Sequence, residues 1–485
     1  MSDDIRNLVE PQTLKGFQDL LPEAMIARQQ IIENIRVIYD KYGFVPIDTP
    51  ALEYVETLVG QGGEAVDKEL FRLESPEGEA IALRFDLTVP FARLIAQYPD
   101  RIKLPFRRYH MGPVFRADKP GPGRFRQFTQ FDIDIAGPDN VGADAELIAA
   151  MAEALRSVGL SNAETPEFEI RINNRKLVDA LLEGNGITET ETQKHVLRVV
   201  DKLQKVGIGN VRAELGAGRT DESGDKIRGV GLDSAIIDAI ISFISVAGSS
   251  REDIIARLGE ALPESEQSAL ALQEMKDLAS ALQSLGVSEV DAVFDPSLAR
   301  GLDYYTGPVF EAVLPTAPSF GSIMGGGRYD GLVGRFLDKR IPATGASIGL
   351  DRLIAALTHL GKVATLATNT KVLVIGMRGI PTDALLGIAA DLRAASIPTE
   401  VYYGKPKMKD QLSFANAKGI PIAVMVGEDE LNTGQVSIKD LYFGMASRAE
   451  IGDRDEYRKA GRVGQQTVPR SQMVDAVKEI LSLTE

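Results

Sequence analysis

At 485 residues the chain exceeds one ordinary core and calls for two to four domains, and its 44% hydrophobic and 25% charged residues describe a folded globular protein. With no cysteine and three histidines, a disulfide framework, a thiolate metal site, a cysteine nucleophile and an imidazole metal cluster are excluded, which leaves oxygen and guanidinium groups to carry any chemistry and no metal site expected. The net charge of −15 argues against general coating of nucleic acid, but residues 1–370 carry all of it, while residues 371–485 balance 15 basic against 15 acidic residues and form the less repulsive part toward an anionic partner.

The opening MSDDIRNLVEPQ has no apolar leader, and the most apolar stretch, 235–248, is short and broken by Asp238, so a cytoplasmic protein without a membrane span is expected. Ile31, Ile35, Ile38 and Tyr42 fall at helical spacing ahead of Gly43, which predicts an amphipathic helix over 23–42. FVPIDTPALE follows as a strand or extended arm. Alternating runs at 80–86, 107–116 and 124–136 read as strands, the last two joined by DKPGPG into an antiparallel hairpin with a long tip.

Residues 143–158 read as a helix and 168–174 as a strand; about 175–265 is helical with no convincing strand and reads as a helical insertion, with a further helix near 267–285. Strands return at 290–295 and 308–314, then the glycine-rich GGGRYDGL at 325–332, then a small-residue strand running into a helix near 349. GKVATLATNT at 361–370 reads as a linker. Beyond it, KVLVIGM, a helix at 382–395, PTEVYYG, a helix near 408–418 and PIAVMVG alternate as in a small α/β domain at 371–485 with a parallel-type sheet. The body, residues 1–360, is an antiparallel α+β core.

The strand over 124–136 has the pattern that points to a site. Phe125, Phe131, Ile133 and Ile135 make its buried face, with Gln127 and Thr129 as exceptions, and the other face reads Arg124, Arg126, Phe128, Gln130, Asp132, Asp134. A solvated sheet face is the plain alternative, but the charges are sorted by sign along the strand. Arginine at one end, joined by Arg116 on the partner strand, suits phosphate or carboxylate, and aspartate at the other suits an ammonium or an imidazole N–H. Arg300, in LARGLDYYTGPVFE, is a second candidate, with a salt bridge to Asp303 as its structural alternative; Tyr304 and Tyr305 follow as core residues or site residues. Arg352, at the start of the helix after ATGASIG, is placed to meet an anion at a positive helix terminus or to lie on the surface. Asp86 and Thr88 share a face. His110, His195 and His359 are isolated and read as structural or exposed, and the triple glycine permits close approach of backbone to a ligand or a plain turn.

Taken in order, these segments resemble the class II aminoacyl-tRNA synthetases, and specifically the histidyl-tRNA synthetase family. FRADKPGPGRFRQFTQFDIDIAG looks like the motif 2 hairpin, GASIGLDRL like motif 3, the first helix with GFVPIDTPALE like motif 1, and LARGLDYYTG and GGGRYDGLVGRF like the two histidine signatures. The resemblance implies activation of L-histidine with ATP and Mg²⁺, release of pyrophosphate and transfer of the histidyl group to the 3′ end of tRNA(His). It implies ATP held by Arg116, Arg124 and Arg352, and Arg300 acting on the α-phosphate and the histidine carboxylate. Asp86, Thr88 and Gln130 would surround the α-amino group, Asp134 and Tyr305 the imidazole, with Tyr329 nearby. A homodimer, no tightly bound cofactor and an anticodon-reading domain at 371–485 are implied as well. The RFDLT and DIDIAG segments have aspartate where many bacterial members have glutamate, and ADKPGPG departs from common bacterial loops. The competing reading is the non-catalytic regulatory paralogue of this fold that serves ATP phosphoribosyltransferase; the retained Arg116, Arg300 and Arg352 and the extra C-terminal domain favour the enzyme.

Overall fold

The computed structural model describes residues 9–60, 69–121, 123–163, 165–221, 224–299, 305–364, 366–404, 407–442 and 464–482. The chain divides into two compact units, one formed by Met1–Asp19 with Ile31–Val363 and the other by Leu20–Gln30 with Ala364–Glu485.

The first unit is built on an eight-stranded sheet: β1 (Val45–Pro46), β2 (Phe106–Phe115), β3 (Gln127–Ala136), β4 (Glu169–Asn174), β5 (Ala292–Phe294), β6 (Pro308–Val313), β7 (Ser322–Arg328) and β8 (Ala343–Gly349). Their spatial order is β1-β2-β3-β8-β7-β6-β4-β5. The pairs β1/β2 and β4/β5 are parallel and the rest antiparallel. One face is closed by the helix Gly142–Ser157, whose sequence GADAELIAAMAEALRS is small and apolar nearly all round because it lies between the sheet and further helices. Phe131, Ile133 and Ile135 of β3 enter this core with Ile31, Ile35 and Tyr39 of the first helix, Pro22–Lys41. Burial of each such large side chain contributes about 1.5–3 kcal/mol.

The hairpin of β2 and β3 is present, but β3 begins at Gln127 rather than at residue 124. DKPGPG is rich in residues that break a ladder, and Arg124 only bridges back to Gly121. The alternation read through Phe125 and Arg126 therefore does not hold there. Phe125 lies beside the cavity on the other side of the sheet instead of in the core. The Arg126 guanidinium turns back to donate to the Asp118 carbonyl at 3.1 Å.

The region after β4 is helical as expected, in six helices between Arg175 and Ala261 followed by Glu266–Ser284, but it also contains a hairpin, Gly218–Thr220 with Lys226–Arg228, that the sequence pattern did not reveal. Three-residue strands are too short to show a period. Its apolar residues, such as Leu197, Ile240 and Phe243, join the same core as the sheet. The triple glycine is a correction of a different kind: Gly325, Gly326 and Gly327 form the middle of β7, not a turn.

The second unit carries a five-stranded sheet in the order Thr399–Val401, Val372–Gly376, Ile422–Val426, Gln435–Asp440, Gln465–Pro469. Val372 and Val374 face the helices Thr382–Ala394 and Met473–Ser482, while Leu373 and Ile375 face Met408–Ala417, which is why KVLVIGM is apolar without alternation. The expected parallel sheet is mixed: the first three strands are parallel and the last two are added antiparallel.

Candidate active site

The site lies on the sheet face opposite the helix Gly142–Ser157, and strand register sets its floor. Arg108, His110 and Gly112 of β2 stand opposite Asp134, Asp132 and Gln130 of β3, and these stand opposite Gly345, Ser347 and Gly349 of β8. The next strand adds Gly327 opposite Gly345 and Gly325 opposite Ser347. Polar side chains thus rise from one half of the floor, and glycines leave the other half low. A Cβ on Gly345 would sit 1.9 Å from Asp134 Oδ1, and one on Gly327 would meet the Tyr305 ring at 3.0 Å.

Above this floor is a cavity of about 710 Å³. It brings together Asp86, Thr88, Arg116, Arg124, Gln130, Asp134, Tyr305, Tyr329 and Arg352. Arg300 lies outside the described residues, as do Asp303 and Tyr304.

The cationic end is assembled from three elements. Arg116 follows β2; its Nε donates to the Phe85 carbonyl at 3.0 Å and its guanidinium lies 5.3 Å over the Phe128 ring. Arg352 stands in the first turn of the helix Leu350–His359, and its Nη1 donates to the Ser322 carbonyl at 2.7 Å. Its neighbour Asp351 accepts from the Thr129 N–H at 2.6 Å, which ties that helix start to β3. Arg124 is at the rim, its side chain 56% exposed and paired with Asp118 at 2.5 Å.

The acidic end is buried rather than solvated: Gln130, Asp132 and Asp134 are 9%, 1% and 2% exposed. Asp134 accepts from the Tyr329 hydroxyl and lies 2.6 Å from Arg108 Nη2. Arg108 is itself fully buried, over the Phe91 ring at 4.6 Å, and reaches Asp132 only at 4.0 Å. Burial raises the pKa of Asp134 against the opposing effect of Arg108, and burial together with Asp134 pushes Asp132 up to about 7. Asp86 is also raised by burial, while the Val89 N–H, donating to its Oδ1 at 3.1 Å, works the other way and ties it to the start of the helix Thr88–Gln97. A bound cation at this end would favour all three ionised carboxylates.

Arg108, Asp132 and Ser347 stand at the site floor with no role assigned to them from the sequence. Arg108 sits in PFRRYH among other basic residues, and only the register of the hairpin sets it against Asp134. His110 is buried in the same row as Asp132, with Nε2 3.0 Å from Asp48, and burial with Arg108 and Arg84 lowers it to about 4. It is a neutral structural histidine. Among the described residues no group of three or more histidine, aspartate or glutamate side chains is arranged to hold a metal ion, and no helix is long and apolar enough to cross a membrane.

Comparison with known proteins decides what this pocket belongs to. Residues 16–353 match the family model described as histidyl-tRNA synthetase, and residues 371–480 match an anticodon binding domain. The histidine–tRNA ligase of Caulobacter vibrioides is 41% identical over 97% of this chain and 97% of its own. The chain belongs to the histidyl-tRNA synthetase family. Its fold is that of a class II synthetase, an antiparallel-rich catalytic sheet with a helical insertion and a C-terminal α/β anticodon-binding domain. The solved histidyl-tRNA synthetase from Nostoc sp. matches with a TM-score of 0.80 at 32% identity, covering 97% of this chain and 100% of that one. A structure from Bacillus halodurans named as both an ATP phosphoribosyltransferase regulatory subunit and a histidyl-tRNA synthetase has a TM-score of 0.68 at 24% identity, over 86% of this chain and 99% of its own. That second likeness speaks of the fold alone. Near-full-length identity to histidyl-tRNA synthetases, together with the anticodon-binding match, favours the enzyme over the regulatory paralogue.

Proposed function

We infer that this protein is a histidine–tRNA ligase that activates L-histidine with ATP and transfers it to tRNA(His). The observation that carries the reading is a single cavity, in a chain of this family, with arginines at one end and buried carboxylates at the other. It suits a ligand pair that is anionic at the phosphates and cationic at the amino acid.

In this reading ATP, brought in as its Mg²⁺ complex, lies with its phosphates over Arg116, Arg124 and Arg352. Histidine extends toward β3, its α-amino group near Asp86, Thr88 and Gln130 and its imidazole near Asp134 and Tyr305. Tyr329 and Arg108 hold the Asp134 carboxylate in place and favour its charged form against the effect of burial. The histidine carboxylate attacks the α-phosphorus and pyrophosphate departs, and negative charge builds on the phosphoryl oxygens. Fixed guanidinium groups, with Arg300 at the reacting centre, lower that barrier without having to reorganise. A polar pocket rejects an amino acid without imidazole nitrogens because its own buried groups would be left unpaired.

We assign residues 1–360 to the catalytic core, interrupted by the helical insertion at about 175–265, 361–370 to the linker and 371–485 to the anticodon-reading domain. The working form is taken to be a cytoplasmic homodimer. Histidine-dependent exchange of pyrophosphate into ATP tests the reading: a folded protein showing no exchange would overturn it.

A further inference from the structure

The last register pair of the β2/β3 hairpin is Phe115 with Gln127, and beyond it the two arms part. The Arg116 N–H still donates to the Arg126 carbonyl at 2.8 Å, but the reciprocal bond of an antiparallel ladder is not made: the Arg126 N–H goes to the Gly16 carbonyl at 2.8 Å. On the other arm the Ala117 N–H goes to the Glu69 carbonyl, also at 2.8 Å. Each arm is thus held by a segment from elsewhere in the chain. These two segments touch one another, because Phe17 and Phe71 meet edge to face with ring centroids 6.0 Å apart. Together they bracket the hairpin at the point where Arg116, Asp118 and Arg124 reach the cavity.

Arg126 is the hub of the bracket. Its main chain joins Gly16 to Arg116, and its Nε donates to the Asp118 carbonyl at 3.1 Å, so three points around the loop are fixed to one residue. Gly16 is fitted to this contact: its φ is +85°, and a Cβ there would lie 2.9 Å from Arg126 Cγ and 3.0 Å from Pro120 Cγ. Main-chain placement matters at this end of the site, since the exposed ion pair of Arg124 with Asp118 holds a guanidinium only weakly. We propose that Gly16 and Arg126 are positioning residues for the ATP end of the site: the turn Leu14–Phe17 holds Arg126, and Arg126 holds the main chain from which Arg116 and Arg124 reach the phosphates. The assignment rests on the reading of those two arginines as phosphate-binding. Neither Gly16 nor Arg126 lines the cavity, so both act through the loop. The acidic end has its own supports, Tyr329 and Arg108 on Asp134, and stands apart from the bracket.

The test measures the KM for ATP and the KM for histidine separately, by pyrophosphate exchange with the full-length protein. Gly16→Ala and Arg126→Ala should each raise the KM for ATP by about 10-fold, roughly the worth of one displaced hydrogen bond, and change the KM for histidine by less than about 3-fold. Arg126→Lys keeps a donor for the Asp118 carbonyl and should recover the KM for ATP to within about 3-fold of the unsubstituted protein. Because both residues act through one loop placement, the double alanine variant should raise the KM for ATP by less than the product of the two single effects. Equal effects on the two KM values, or a slower exchange with both unchanged, would mark a general loss of structure and overturn the proposal; so would a double variant that equals the product. If Gly16→Ala does not fold, Arg126 decides: an alanine variant with an unchanged KM for ATP, or a lysine variant no better than alanine, rejects the proposal. Arg116→Ala and Arg124→Ala separate the inference from the reading beneath it. If they raise the KM for ATP while the Gly16 and Arg126 variants leave it unchanged, the inference alone fails. If they too leave it unchanged, the phosphate reading fails and the inference with it.

Discussion

Gly345 has little tolerance for a side chain, because a Cβ there would sit 1.9 Å from Asp134 Oδ1, the oxygen that accepts from Tyr329. Gly345→Ala should displace that carboxylate and raise the KM for histidine by about 100-fold, as misplacement of an aligned group by about an ångström does. Pyrophosphate exchange measures it, and an unchanged KM would mean that Asp134 does not meet the ligand. Arg300 calls for a different signature. If it acts on the transition state, Arg300→Ala should lower the exchange rate by roughly 100-fold or more while histidine affinity falls far less. Equal losses in both would remove it from the chemistry. Asp132 also gives a pH dependence with a definite sign. Its folded pKa, about 7, lies above its ordinary 3.8, so the ligand-free folded chain keeps a proton that the unfolded chain loses. That contribution is full below about pH 4 and is lost as pH rises toward about 7. Asp132→Asn should therefore raise the ligand-free Tm more at pH 7.5 than at pH 5, and the reverse order would contradict the buried, poorly compensated state of this carboxylate. His110 acts in the opposite sense: its depressed pKa removes stability as pH falls from about 6.5 toward 4.

At the level of elements, the signature GGGRYDG separates into structural and site residues. Gly325–Gly327 thin the central strand, and Tyr329 reaches Asp134. Arg328, by contrast, points to the opposite side, 3% exposed, where it pairs with Asp144 at 2.5 Å and donates to the Pro138 and Asn140 carbonyls at 3.0 and 2.8 Å. It fastens β7 to the start of the helix Gly142–Ser157 and has no place in the cavity. Arg328→Ala leaves Asp144 buried without its partner and should cost about 3–5 kcal/mol. Denaturant unfolding of the catalytic unit reads this directly, and a loss below about 1 kcal/mol would place the pair among surface ion pairs.

For the whole molecule, the synthetase match and the anticodon-binding match fall on different parts of the chain, so in the proposed reading activation and anticodon recognition should respond to different substitutions. In the second unit Tyr403, 70% exposed, and Met377, 49% exposed, follow the C-terminal ends of two parallel strands, where open α/β sheets usually present ligand-binding residues. If Tyr403 stacks on an unpaired base, Tyr403→Ala should weaken tRNA binding by about 1–3 kcal/mol and leave pyrophosphate exchange unchanged. A parallel fall in both activities would argue against an independent recognition module. Sedimentation should give a mass twice that of the 52.5 kDa chain if the working form is a dimer, and a stable monomer would contradict it.

Local pattern was sufficient for much of this protein. The period of 3.6 in the first helix, the alternation of Phe131, Ile133 and Ile135, and the unbroken apolar run of KVLVIGM each follow from which faces a segment must bury, and that requirement is written residue by residue. The same alternation exposed the carboxylate face of β3, and the ordered motifs suggested the family. What the sequence could not show depended on partners distant in the chain. It did not reveal that the glycines of β7 run through a sheet and not a turn, that Arg108 stands opposite Asp134, or that Arg126 turns away from the site. Nor did it show that the carboxylate end of the polar face is buried, because burial depends on Asp86 and Tyr329 reaching it from other segments and on β2 and β8 flanking it in the sheet. Periodicity reports what a segment needs on each face, whereas register and burial depend on which other segments meet it, and only the tertiary structure decides that.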